Sequence, residues 1–242
     1  MYAAVAQLDR VTDYESVGRG FESLSPYHLK SPESVRFRAF FIDEAVERGK
    51  TRGGGGMKTY TIIGGVNGVG KSSFTGVLKE RSTDLGVIVD VDRITAELGG
   101  NALTGGKAAL RKIRECIDKG VSFAQETTLS GYKTEATAKQ VKDMGYHVRL
   151  FYIGLDSAEE SISRIENRVK RGGHDIPSDD VVRRFASRWE AVAKVLPYCD
   201  EAEFYDNGNG FTLVAEYRNG ELRTIGSRIP KWLRELQEYL NE

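Results

Sequence analysis

Residues 64–73 read GGVNGVGKSS, and this stretch decides the fold. Its spacing is G-x-x-x-x-G-K-[ST], with Gly65, Gly70, Lys71 and Ser72 at the fixed positions. The run TYTIIGG before it is typical of a strand, and KSSFTGVLKER after it is typical of a helix. In a strand–loop–helix unit, glycines let successive backbone N–H groups surround a phosphate. The stretch therefore predicts a nucleotide-phosphate loop.

The loop also assigns roles to individual residues. Lys71 should reach the β- and γ-phosphates, and Ser72 should bind Mg²⁺ through its hydroxyl. The alternative is a glycine-rich turn with a chance lysine, which the flanking strand and helix argue against. The predicted nucleotide-binding residues are Gly65, Asn67, Gly68, Val69, Gly70, Lys71, Ser72 and Ser73. The loop leaves open whether the phosphate passes to water, passes to a small molecule or drives a mechanical cycle.

Composition excludes several classes of protein. The 242 residues are 40% hydrophobic, which is enough for one core, and 35 basic residues balance 35 acidic ones. This balance gives no basic surface for nucleic acid. No apolar run is long enough to cross a bilayer, and the N-terminus lacks the pattern of a signal peptide. Cys116 and Cys199 show no metal-binding spacing. We expect a cytoplasmic protein without nucleic-acid or membrane partners.

The first 56 residues lack the organisation of the rest of the chain. They show no sustained helical or strand period and end in four glycines before Met57. The peptide GRGFES can be encoded by a sequence resembling the T-arm of a transfer RNA gene. We expect residues 1–56 to be a non-native or disordered extension from a misplaced gene start, and residues 57–242 to form the domain that carries the phosphate loop. The alternative is a genuine flexible extension with a glycine linker.

From Met57 onward, strand patterns alternate with helix patterns. The strand runs are TYTIIGG, LGVIVDVD, VSFAQETTLSG and YHVRLFYIGLD, each followed by a helical segment. This order predicts an α/β fold of three layers, in which a mostly parallel sheet has helices on both faces. We expect LGVIVDVD, an apolar run ending in acid, to be a buried parallel strand, Gly120 to end the helix before the third strand, and Ser157 to cap the helix after the fourth. After Pro197 we expect a hairpin turning at Asn219–Gly220 and a terminal helix from Pro230. Ligands on such sheets bind beyond the carboxyl ends of the strands.

Three acids lie at predicted strand ends. Asp90 and Asp92 close the second strand, and Glu126 closes the third. A carboxylate near the γ-phosphate can accept the proton of a substrate hydroxyl or help to hold Mg²⁺. The alternative for each acid is a cap on the next helix. We predict Asp92 as the general base, Asp90 as a metal residue beside Ser72, and Glu126 with Thr127 on the substrate side.

An arginine-rich segment follows the fourth strand. Arg164, Arg168 and Arg171 share one helical stripe, GGHDIPSDD forms a turn, and VVRRFASRW resumes a helix. Arginines on a mobile helix–loop–helix can cover a nucleotide and neutralise the transferring phosphoryl group. Surface ion pairs are the alternative for some of them. We predict that Arg168 and Arg171 touch phosphate, with Arg184 next.

These parts favour a nucleoside-monophosphate-kinase-like phosphotransferase. A GTPase would carry N-K-x-D and D-x-x-G motifs, and neither is present. GGVNGVGKSS, VDVDRI, QETTLSG and RVKRGGHDIPSDDVVRRF together resemble the zeta-toxin family of P-loop kinases, in particular a zeta-like branch described as predicted ABC-type ATPases. The resemblance covers most of residues 58–200. The R-V-x-x-G-G-H-x-I-P segment is its most distinctive part.

The resemblance implies more than the residues show by themselves. It implies ATP and Mg²⁺ as cofactors, Asp92 as the base, Glu126 on the substrate side and phosphate-clamping arginines around Arg168 and Arg171. It further implies phosphorylation of the 3′-hydroxyl of UDP-N-acetylglucosamine and inhibition by a small helical antitoxin. The chain is shorter than the larger toxins and its lid has the glycine–histidine form, so kinase chemistry transfers better than substrate choice. The alternatives are a kinase of another small molecule, such as a nucleoside or antibiotic, and a nucleotide-binding ATPase module that acts through a protein partner.

Overall fold

The computed structural model describes residues 57–81, 83–173 and 175–242. The prediction for residues 1–56 lies outside the described residues, and so does His174 in the turn of the arginine-rich segment. None of the described helices has the length and apolarity needed to cross a bilayer.

The described residues form a seven-stranded sheet in the order β2-β3-β1-β4-β5-β6-β7. The first five strands of this order are parallel, and β6 and β7 continue the sheet as an antiparallel hairpin. The strands are β1 Thr59–Gly64, β2 Val87–Asp90, β3 Phe123–Thr127, β4 His147–Gly154, β5 Glu201–Asp206, β6 Thr212–Arg218 and β7 Glu221–Thr224. The mostly parallel α/β prediction is confirmed.

Helices connect the strands and cover both faces of the sheet. They are α1 Lys71–Glu80, α2 Val91–Glu97, α3 Ala102–Lys119, α4 Lys133–Asp143, α5 Ala158–Lys170, α6 Ser178–Ala186, α7 Arg188–Val195 and α8 Lys231–Asn241. Successive residues of β1 point to opposite faces, so Ile62 packs into one apolar cluster and Ile63 into the other. The three-layer prediction is therefore confirmed.

Local signals set several element ends as predicted. The Ser157 hydroxyl accepts the Glu160 amide at 3.2 Å and caps α5. Gly120 ends α3 with a φ of 61°. In the hairpin, Arg218 pairs with Glu221 across the Asn219–Gly220 turn.

Two expectations about the second strand are wrong. We expected LGVIVDVD to be a buried strand, but β2 lies at the sheet edge and only Val89 is fully buried. The strand also ends at Asp90, and α2 begins at Val91. Asp92 therefore lies in the first turn of a helix, because the Asp90 side chain caps that helix and turns the chain.

Candidate active site

A cleft of about 810 Å³ opens at the carboxyl ends of β2, β3 and β1, where α/β sheets bind ligands. It brings together most of the residues predicted from sequence: Asn67, Gly68, Gly70, Lys71, Ser72, Ser73, Asp90, Asp92, Glu126, Thr127 and Arg168. Gly65, Val69 and Arg171 do not line it. Gly65 and Val69 nonetheless belong to the same loop, whose residues Asn67, Gly68 and Gly70 do line the cleft.

The phosphate loop needs glycine at the points where other backbone comes closest. Gly68 has a φ of 73°, and a Cβ there would lie 2.6 Å from the Ser161 carbonyl oxygen. Gly70 has a φ of 95°, and its Cβ would lie 2.9 Å from Asn207 Nδ2. Both values fall where side chains are strained. The glycines thus allow α5 and the loop after β5 to pack directly on the phosphate loop.

Lys71 lies across the loop it follows. Its Nζ donates to the carbonyl oxygens of Gly65 at 3.0 Å and Val66 at 3.1 Å. Burial lowers the pKa of Lys71, while the carboxylates of Asp92 and Glu126 act in the opposite direction. The ammonium group is thus held between the loop carbonyls and the acids of the cleft.

Glu126 contacts α1 rather than standing alone at the strand end. The hydroxyls of Ser72 and Thr75 donate to its two carboxylate oxygens at 2.8 Å and 2.6 Å. Only 7% of the residue is exposed. Burial and the nearby Asp90 charge raise the pKa of Glu126, and the two hydroxyl hydrogen bonds oppose that rise. The prediction placed Glu126 towards substrate, whereas its side-chain hydrogen bonds are with the helix that carries the predicted metal ligand Ser72.

Asp90 and Asp92 both line the cleft but differ in their partners. The Asp90 carboxylate accepts the Arg93 amide at 3.1 Å as the cap of α2. Burial raises the pKa of Asp90, and this amide contact counteracts the effect. Asp92 is exposed, and among the described residues its carboxylate accepts no hydrogen bond. The capping alternative therefore applies to Asp90 and not to Asp92.

The arginines of the lid segment divide into those inside and those outside the cleft. Arg164, Arg168 and Arg184 line it, and Arg168 acts electrostatically on Lys71. Arg184 donates to Asn67 Oδ1 at 2.7 Å. Arg171 is the exposed C-cap of α5. The predicted phosphate contact of Arg171 stays a prediction that requires movement of this segment.

Sequence reasoning missed two residues that organise the site. Thr75 holds Glu126, and its position three residues after Ser72 on a helix was the available signal. The Asn207 side-chain amide donates to the Val69 carbonyl oxygen at 2.8 Å, and the backbone carbonyl oxygen of Asn207 accepts from Arg164 at 2.6 Å. No local pattern predicts these contacts of Asn207, because its partners are remote in sequence.

Comparisons with known proteins agree with this architecture. Among solved structures, one from the PezAT chromosomal toxin–antitoxin system of Streptococcus pneumoniae has a TM-score of 0.51 at 16% identity and covers 87% of this chain and 95% of its own. The structure of AvrRxo1-ORF1:-ORF2 with ATP has a TM-score of 0.52 at 17% identity and covers 88% of this chain and 70% of its own. At these identities, the likeness establishes the shared fold.

Sequence comparisons extend the likeness beyond the fold. Residues 106–210 match the zeta toxin family. An uncharacterized protein of Haemophilus influenzae (strain ATCC 51907 / DSM 11121 / KW20 / Rd) is 31% identical over 126 residues, which span 50% of this chain and 88% of that relative. The family match includes the third strand and the arginine-rich segment, both of which line the cleft, and extends to the loop after β5. The chain therefore belongs to the zeta-toxin family of P-loop kinases.

Proposed function

We propose that this kinase transfers the γ-phosphoryl group of ATP to a hydroxyl of a small metabolite in the cytoplasm, with Asp92 as the general base. One observation carries the proposal: Asp92 lines the same cleft as Lys71, and its carboxylate accepts no hydrogen bond from the described residues. Of the carboxylates that act to raise the pKa of Lys71, Asp92 has the largest effect. A carboxylate that the fold does not use, beside the phosphate loop, is available to accept a proton.

The loop supplies the phosphate side of the reaction. Its backbone amides and the N-terminus of α1 would surround the β- and γ-phosphates, and Lys71 would exchange its two loop carbonyls for phosphate oxygens. The ATP seen with AvrRxo1-ORF1:-ORF2, a protein of the same fold, supports ATP as the donor. Family membership supports the same choice.

The donor set beside the loop fits the Mg²⁺ that accompanies ATP. Its candidate ligands are oxygens, the Ser72 hydroxyl and the Asp90 carboxylate, as this hard cation prefers. Among the described residues no cluster of three or more metal-binding side chains occurs. A nucleotide-bound Mg²⁺ needs none, because phosphates and water fill most of its positions. When bound, the ion neutralises charge on the phosphates.

Arginines would complete the site from the lid. Arg168 lines the cleft already, and Arg171 would join it if α5 and the following turn move inward. Arg184 already donates a hydrogen bond to Asn67 of the phosphate loop. Guanidinium groups at these positions would stabilise the charge that spreads over the transferring group and would exclude water from it. Exclusion of water favours an alcohol acceptor over hydrolysis.

The acceptor side lies over the ends of β2 and β3, next to Asp92. Thr127 lines it, and Glu126 is within the same wall. The family relationship makes the 3′-hydroxyl of UDP-N-acetylglucosamine the first acceptor to test. The PezAT toxin–antitoxin system shares the fold, and this supports a small helical antitoxin as a partner that would obstruct the ATP site.

The decisive experiment compares acceptor phosphorylation by the full chain and three variants. Purified protein is incubated with γ-labelled ATP and a panel containing UDP-N-acetylglucosamine, nucleosides and aminoglycosides. Asp92→Asn should lower kcat about 10²- to 10⁴-fold while ATP binding persists, because only proton removal is lost. Lys71→Ala should weaken ATP binding and turnover together. Asp118→Asn is the matched control, since Asp118 is an exposed acid of α3 away from the cleft.

Each outcome bears on a different part of the proposal. Phosphorylation of a panel member other than the sugar nucleotide would support kinase activity but would identify a different acceptor. Equal turnover by wild type and Asp92→Asn would remove Asp92 as the base. ATP hydrolysis without phosphorylation of any acceptor, unaffected by Asp92→Asn, would point to a nucleotide-driven binding module and overturn the proposal.

A further inference from the structure

Two hydroxyls on one face of α1 hold the Glu126 carboxylate from both sides. Ser72 and Thr75 are three residues apart, so their side chains are neighbours on the helix surface. Ser72 Oγ lies 2.8 Å from Glu126 Oε2, and Thr75 Oγ1 lies 2.6 Å from Glu126 Oε1. Thr75 is 4% exposed and Glu126 is 7% exposed. Each carboxylate oxygen therefore has its own hydroxyl donor, the buried Thr75 on one side and the exposed Ser72 on the other.

The direction of the Ser72 hydrogen bond determines which part of its hydroxyl group faces the cleft. A hydroxyl carries one proton and two acceptor lone pairs. Once Ser72 donates its proton to Glu126, only lone pairs remain to face the cleft. Thr75 Oγ1 also lies 3.1 Å from the Lys71 carbonyl oxygen, but the shorter contact with the carboxylate is the stronger one. Glu126 thus turns Ser72 into an oxygen ligand without a competing proton.

Thr75 decides where the Glu126 carboxylate points. Glu126 interacts favourably with Lys71 and unfavourably with Asp90, so a Glu126 carboxylate released from α1 would be drawn towards the ammonium group. The Thr75 contact opposes that movement because it anchors the second carboxylate oxygen to the helix. Without it, Glu126 can pair with Lys71, and the Ser72 hydroxyl proton is free to rotate into the cleft.

We propose that Thr75 is a positioning residue that fixes Glu126, so that Ser72 presents an oxygen lone pair to the Mg²⁺ of a bound nucleoside triphosphate. The proposal rests on the proposed function for the Mg²⁺–nucleotide complex and not on the acceptor. It assigns Glu126 to the metal side of the cleft in addition to the substrate side predicted from sequence. Thr75 itself touches neither nucleotide nor metal.

Calorimetric titration of the full chain with ATP tests this role without any acceptor. Wild type, Thr75→Val and Thr75→Ser are each titrated in Mg²⁺ and in EDTA. Thr75→Val keeps the side-chain shape and removes the donor, so ATP affinity in Mg²⁺ should fall about tenfold while affinity in EDTA stays unchanged. Thr75→Ser keeps the hydroxyl and should retain most of the Mg²⁺-dependent affinity. The matched control is Thr137→Val, which removes a buried hydroxyl of α4 outside the cleft.

Several results would overturn the proposal. An equal loss of affinity in Mg²⁺ and EDTA would show a general structural effect, and no loss would show that Glu126 holds its place alone. If Thr75→Val does not fold, Thr75→Cys repeats the comparison with a poor donor of similar size. A failure to phosphorylate any acceptor, with the Mg²⁺-specific loss present, would count against the proposed function alone. A wild type that binds no ATP in Mg²⁺ would overturn both.

Discussion

The guanidinium of Arg184 donates to the Asn67 side-chain oxygen at 2.7 Å and so joins α6 to the phosphate loop. Ser161 reinforces this junction by donating from α5 to the Asn67 carbonyl oxygen. The two helices that flank the lid turn are thus both attached to one loop residue. Because Asn67 belongs to the loop that would hold the phosphates, nucleotide and arginine positions are linked directly.

This link predicts that Arg184 acts at the phosphates. Arg184→Met should lower kcat about 10²-fold in the kinase assay, because a cation near the transferring group is lost. The control is Arg183→Met on the same helix, because the Arg183 side chain is 71% exposed, pairs with Asp180 at 2.7 Å and does not itself line the cleft. Equal rates for the two variants would remove Arg184 from the site. Steady-state kinetics at saturating ATP make the comparison.

Asp90 should show two separable functions. Asp90→Ala should lower the free energy of unfolding by about 1 kcal/mol, since the cap of α2 is lost. Asp90→Asn should keep the cap, because asparagine caps helices as well as aspartate does, but should raise the Mg²⁺ concentration needed for half-maximal kinase activity. Urea unfolding measures the first effect, and a Mg²⁺ titration at fixed ATP measures the second. A normal Mg²⁺ requirement in Asp90→Asn would leave Asp90 as a cap only.

Glu203 should make the protein less stable as pH rises. Burial raises the pKa of Glu203 to about 7, although the Tyr205 hydroxyl donates to it at 2.6 Å. The folded state therefore keeps a proton that the unfolded chain releases near its ordinary pKa of 4.5. The stability this proton provides is complete below that ordinary pKa and is lost as pH rises to about 7. The full loss is about 3 kcal/mol.

Glu203→Gln isolates this contribution. Glutamine keeps an oxygen for Tyr205 and cannot ionise, so the variant should be the more stable protein at pH 8 and about equal to wild type near pH 4. Urea unfolding across this range gives the difference. Glu221→Gln on the exposed β7 is the control, with a carboxylate that is 65% exposed. Parallel pH profiles for wild type and Glu203→Gln would contradict the assignment.

Two glycine-to-alanine changes should have opposite effects on the free energy of unfolding. A Cβ on Gly154 would lie 2.3 Å from the Trp232 ring, so Gly154→Ala should destabilise the protein by about 2–3 kcal/mol. A Cβ on Gly106, inside α3, meets nothing within 4 Å, so Gly106→Ala should stabilise it by about 1 kcal/mol. Thermal unfolding distinguishes them. Loss of stability in both would show that α3 does not tolerate a side chain at residue 106.

The phosphate loop, the Ser157 cap and the Asn219–Gly220 turn were all predictable from sequence. Each depends on residues within a few positions of one another, where backbone geometry and local hydrogen bonds decide the conformation. The end of β2 was not predicted correctly. Its alternating pattern continues to Asp92, but the Asp90 side chain accepts an amide of the following turn, so the strand ends two residues earlier, at Asp90, and α2 begins at Val91.

The sequence by itself determined the type of domain and the loop that would hold phosphate, because periodicity and turn chemistry are local properties of the chain. The tertiary structure alone decided the partners inside the cleft. Thr75 meets Glu126, Asn207 meets Val69 and Arg184 meets Asn67 only after the sheet has assembled. These contacts join residues 51, 138 and 117 positions apart, and their geometry follows from how helices pack on a twisted parallel sheet.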